Sequence, residues 1–84
     1  MTLHMATHFR KPVRTRGTPM PVLIGTVEGA IEAVLRLPNR VQERPHWSAA
    51  MDALYKAIDS SVAAEIETAR QVLEAALAKD QWLH

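Results

Sequence analysis

The side chains able to do chemistry are four histidines, one adjacent pair of serines, two aspartates seven residues apart and a scattered set of arginines. His4 and His8 would share a face if their segment were helical, which is the geometry of two metal ligands. That segment reads instead as a tail entering a strand, with no Asp, Glu or Cys nearby to complete a site, so surface histidines are the better account. His46 stands beside Trp47 at a helix start and reads as a loop residue, and His84 is the last residue. No metal site is assigned.

Ser60 and Ser61 fall where a helix needs a cap, and no glycine-rich elbow surrounds them to present a nucleophile. Asp52 and Asp59 lie two helical turns apart, on the polar side of their helix, where solvated charge explains them without acid–base work. Gly17, Gly25 and Gly29 have neither the spacing of a phosphate loop nor a following Lys-Ser or Lys-Thr. Cysteine is absent, so the chain has no disulfide and no thiolate, which suits a reducing, cytoplasmic interior. The expectation is a non-enzymatic chain without catalytic residues and without a cofactor.

Charge is the most informative feature left. Arg10, Lys11, Arg14 and Arg16 all precede the first acid, Glu28, so residues 1–27 carry +4. From residue 28 onward, six Lys or Arg face nine Asp or Glu, giving −3 behind a net charge of +1. Arg70 sits between the core-facing Ala69 and polar positions, within reach of Glu67 and Glu74 on its own helix, and an ion pair there is favoured over a ligand contact. Trp47 and Trp82 read as core anchors that, in so small a chain, could also lie at an interface. The candidate interaction surface is therefore Arg10, Arg14, Arg16, Arg70, Trp47 and Trp82.

These residues need elements to hold them. His8 to Thr15 alternates, with Phe9, Lys11, Val13 and Thr15 on one side and His8, Arg10, Pro12 and Arg14 on the other. Pro12 has no N–H for a ladder, which confines this strand to an edge or a bulge. A turn through Gly17, Pro19 and Pro21 leads to a second strand at Val22-Leu23-Ile24, completing a hairpin over about 8–25.

Thr26 caps a helix over about 27–37 whose apolar stripe is Val27, Ala30, Ile31, Val34 and Leu35, ended by Pro38. Pro38 to His46 reads as linker. A second helix, about 46–59, carries Trp47, Ala50, Met51, Leu54 and Ile58 inward, with Asp52 and Lys56 paired outside. Asp59-Ser60-Ser61 breaks it and caps a third, about 61–79, with the stripe Val62, Ile66, Ala69, Leu73, Ala76 and Leu77. Trp82 and Leu83 are expected to fold back onto the body.

The fold class is thus α+β: an N-terminal two-stranded antiparallel β-hairpin followed by three α-helices packed on one face. The whole chain, 1–84, forms one domain, with 1–6 as a flexible tail. Residues Met1 to His8 lack the apolar region of an export signal, and the longest run of large apolar residues, Val22-Leu23-Ile24, is far short of a membrane span.

The order Phe9, Pro12-Val13, a branched strand, a Thr-capped helix ending in Pro38 and a late Ala69-Arg70 followed by Leu73 and Ala75-Ala76 resembles the family of short alphaproteobacterial proteins catalogued as domain of unknown function 982. The resemblance spans about Phe9 to Leu83. The family usually places an aromatic where this chain has Leu37 and another where it has Leu73. The resemblance implies a small hairpin-plus-helices domain and brings no activity, cofactor or catalytic residue.

Two functions remain as expectations. A two-stranded hairpin is marginal alone and its edges can pair with another strand, so a self-associating or protein-interaction module is favoured, as a homodimer or with an acidic partner. Edge pairing or close packing through Ala63, Ala64, Ala75 and Ala78 would serve. The alternative is weak nucleic-acid binding, with Arg10, Arg14 and Arg16 on phosphates, against which stand the modest charge and the acidic body.

Overall fold

The computed structural model describes residues 6–84. His4 and nearly all of the tail expected over 1–6 lie outside the described residues. The elements are β1 (His8–Arg14), β2 (Leu23–Thr26), α1 (Val27–Leu35), α2 (Asn39–Gln42), α3 (Pro45–Ser60) and α4 (Ala63–Lys79). This is the expected α+β hairpin with helices on one face, and the stretch read as linker contains the single turn α2.

The hairpin is antiparallel, and its register shows what Pro12 does. Cα partners run Arg14 to Leu23 and Val13 to Ile24 near the turn but His8 to Thr26 at the far end, so residues 9–12 of β1 stand opposite Gly25 alone. Pro12, unable to donate, lies in that irregular stretch. The irregularity also breaks the simple alternation: Phe9 and Val13 are buried, but Lys11, expected on their side, is exposed.

The turn is pinned from inside. Thr15 is 1% exposed, and its hydroxyl donates to the Pro21 carbonyl at 2.6 Å while accepting from the Gly17 amide at 3.0 Å. Gly17 has φ of 94°, a conformation in which any side chain would be strained.

β1 also has a neighbour on its second edge. The Arg16 amide donates to the Trp82 carbonyl at 2.9 Å and the His84 amide to the Arg14 carbonyl at 3.2 Å, so Thr15 bridges to Leu83 in antiparallel fashion. The fold-back expected of Trp82 and Leu83 is therefore present, and it closes part of an edge.

Thr26 caps α1 as expected, its hydroxyl accepting from the Gly29 amide at 2.9 Å. Its Cβ-free neighbour has a reason: a Cβ on Gly29 would stand 3.0 Å from that hydroxyl. Glu28 takes the Thr7 amide on both carboxylate oxygens, at 2.9 and 3.1 Å. Burial alone would raise the Glu28 carboxyl, but its own backbone N–H and then Thr7 outweigh burial and hold it below its ordinary pKa.

α3 and α4 form the largest helix pairing. Trp47, Leu54, Leu73 and Leu77 fill the centre with Val13, Val27 and Val34, and the buried Ala50, Ala57, Ala69 and Ala76 allow close approach.

Four expected placements are corrected. Leu35 is 54% exposed, because α1 ends there, and Ala33 and Leu37 are buried instead. Val62 is exposed as the N-cap of α4 and has no side-chain cap bond. Ser61 closes α3 with a left-handed φ of 54° rather than capping α4. Lys56 pairs across the helix turn with Glu65 at 3.9 Å, not with Asp52.

Candidate functional site

Two clusters of charged groups are spent on one another. Arg70 Nε and Nη2 grip Glu67 in a bidentate pair at 2.9 and 2.5 Å while Nη1 bonds Glu74 at 2.8 Å. The side chain is only 16% exposed. Arg70 thus makes both contacts expected of it at once, one turn up and one turn down its own helix. Its guanidinium, followed by the Gln71 amide, holds the Glu67 carboxyl down to about 2 against the opposing effect of burial.

A second cluster joins distant parts of the chain. Asp80, just past α4, accepts the Trp47 indole N–H at 2.6 Å and lies 3.0 Å from Arg44 and 3.1 Å from His46 Nε2. Burial pushes its carboxyl up, and the Trp47 bond, then His46 and Arg44, more than reverse this, leaving the pKa below the ordinary aspartate value. His46 Nε2 is buried with no aligned hydrogen-bond partner, its approach to Asp80 Oδ1 being a close contact only. The histidine read as an ordinary loop residue is instead part of this cluster. Nothing but a short polar residue after a helix signalled Asp80.

A third surface feature is apolar. Val22 is 67% exposed and Leu23 55%. The Thr15 amide donates to the Val22 carbonyl at 2.9 Å, so Val22 and Ile24 turn their backbones toward β1 and Leu23, opposite Arg14, turns its N–H and C=O away. Arg14 shows the same alternation, its carbonyl being taken by His84 on the other side. Beside this edge a recess of about 470 Å³ separates Pro21 on the turn from Glu32 and Arg36 on α1. Those two pair at 2.6 Å, in the open. Period-two alternation was the available signal for Leu23 alone, which falls on the face opposite the buried Ile24, whereas Val22 shares the Ile24 side by period and is exposed just before β2 begins.

The expected surface residues do not converge. Arg10 and Arg14 on β1 and Arg16 just past it are exposed, but Arg10 and Lys11 share a recess with Glu67 and Arg70 and Arg16 Nε donates to the Leu83 carbonyl at 3.2 Å. Trp82 is half-buried against Trp47, their ring centroids 5.8 Å apart. Trp47 itself has no exposed surface and leaves the set of surface candidates, because its indole is needed by both the core and Asp80. Ala63, Ala64, Ala75 and Ala78 are exposed, as their place outside the stripe requires.

Among the described residues no group of three or more His, Cys, Asp or Glu is placed to hold a metal, and no helix is long and apolar enough to cross a membrane. No protein-family model, curated protein or solved structure matches the chain.

Proposed function

We propose that this chain is a non-enzymatic interaction module that associates with itself. The observation that carries the reading is the pair of exposed apolar side chains, Val22 just before β2 and Leu23 within it, on the outer edge of a sheet that has two strands among the described residues. A two-stranded sheet is marginal in water, and a chain of 84 residues has a small core, so burying a further apolar edge stabilises both. The rich internal pairing of Arg70 and Asp80 supports the same reading, since it leaves these groups less able to serve a substrate. Phosphate is a poorer partner for β1, where Glu67 stands beside Arg10 and Arg16 is turned toward Leu83. A chain with no cysteine fits a cytoplasmic setting.

Sedimentation velocity from about 1 to about 100 µM tests the reading, a range that brackets the affinities of small interfaces. A mass rising toward two chains is expected, and a single-chain mass at every concentration would overturn it.

A further inference from the structure

Resting on that self-association, we infer that the contact is made by β2 of one copy pairing antiparallel with β2 of a second, with Leu23 opposite Leu23 on a two-fold axis. The two edges of the hairpin are treated very differently. β1 carries the features that keep strands from pairing: Pro12, an irregular stretch, the exposed charges Arg10 and Lys11, and a C-terminal segment already bonded at Arg14 and Arg16. β2 carries none of them within Leu23–Thr26. It has no charge, and a Cβ built on Gly25 would meet nothing within 4 Å.

The occupant that fits this edge is a second copy, because a two-fold contact must match itself. Leu23 offers one outward N–H and one outward C=O, which satisfy the same two groups on its mate. Leu23 meets its own kind, and Val22 of each copy stands opposite Ile24 of the other. The neighbouring Glu32–Arg36 pair, 65% and 75% exposed, supplies one charge of each sign. Each copy thus brings both an acid and a base beside the recess that flanks Pro21.

The register is also limited. Pro21 has no donor on one side of the strand, and on the other side the chain turns into α1 at Val27. Pairing is therefore short and centred on Leu23. The product is a four-stranded sheet, β1–β2–β2–β1, whose outer edges are the two guarded copies of β1. Such an assembly closes as a dimer and does not grow.

The absence of cysteine makes the test clean. Leu23→Cys places two thiols opposite each other across the axis and is expected to form a disulfide-linked dimer under mild oxidation. Tyr55→Cys, equally exposed at 49% but remote in the fold on α3, is expected to stay monomeric on a denaturing gel. Leu23→Lys, which sets like charges opposite each other, is expected to raise the dimer dissociation constant at least about tenfold by sedimentation. If wild type dimerises while Leu23→Cys cross-links no better than Tyr55→Cys, the β2 contact is overturned and self-association stands. A wild type that remains monomeric overturns both. Should Leu23→Lys unfold by circular dichroism, the cysteine pair decides alone.

Discussion

Trp47 donates its indole N–H to Asp80 Oδ2 at 2.6 Å across a sequence separation of 33 residues, tying the first turn of α3 to the end of α4. Trp47 is fully buried, so this donor has no water to fall back on. Asp80→Ala is therefore expected to cost about 1–3 kcal/mol, the penalty of a buried donor left without its acceptor. For a domain of this size that lowers Tm by roughly 4–8 °C per kcal/mol. Asp80→Asn keeps an acceptor oxygen and should recover part of the loss. Thermal unfolding by circular dichroism checks both, and an Asp80→Ala variant as stable as wild type would show that the bond contributes nothing net.

Acid should unfold the protein through the same carboxylate and through Glu67. Both have folded pKa values held below the ordinary ones, Glu67 from 4.5 to about 2. A depressed carboxylate contributes stability that is complete above its unfolded pKa and is lost as pH falls through its folded one. For Glu67 the loss runs from about pH 4.5 down to about 2. Urea unfolding between about pH 2 and about pH 7 is expected to show a falling stability in that window, and Glu67→Gln should flatten the fall. An unchanged acid limb in Glu67→Gln would remove Arg70 as its cause.

The hairpin and its cap were legible because each rests on a local rule. Thr26 before an apolar stripe reads as a cap, and Pro12 in a strand confines it to an edge or a bulge, whatever lies further along the chain. Arg70 was legible for the same reason, its partners being three and four residues away. Trp47 was legible as a core anchor, but its meeting with Asp80 and His46 was not, because that depends on how two helices close over a distance that periodicity does not record. Leu35 and Lys11 were misplaced by events at element ends: a helix finishing two residues early and a strand losing register at a proline. Leu23 lay between these cases, visible as alternation but not as part of an exposed edge until β1 was seen to be guarded.

Thr26 and Gly29 should behave as a coupled pair. Thr26→Ala removes the cap on α1 and is expected to cost about 1 kcal/mol. Gly29→Ala in wild type gains helix propensity but presses its new Cβ against the Thr26 hydroxyl, 3.0 Å away, so little net gain is expected. In a Thr26→Ala background that obstruction is gone, and Gly29→Ala should stabilise by up to about 1 kcal/mol. A double-mutant cycle measures the difference directly, and strict additivity would refute the crowding.

Gln81 gives the prediction with the opposite sign. It has φ of 63°, in the left-handed region where an L side chain costs roughly 1–2 kcal/mol. Its amide donates to Ala78 O at 3.1 Å while that of Trp82 donates to Leu77 O at 2.8 Å, the two bonds of a Schellman closure on α4. This turn aims Trp82 at Trp47 and carries Leu83 onto β1. Glycine adopts the same conformation without the side-chain penalty, though it also loosens the unfolded chain. Gln81→Gly is thus expected to raise stability by several tenths to about 1 kcal/mol. Gln81→Val, branched at Cβ, should lower it and weaken the protection of the His84 amide, which bonds Arg14. Denaturant unfolding gives the first quantity and amide hydrogen exchange the second. If glycine destabilised and valine did not, the strain at Gln81 would not be what shapes this end of the molecule.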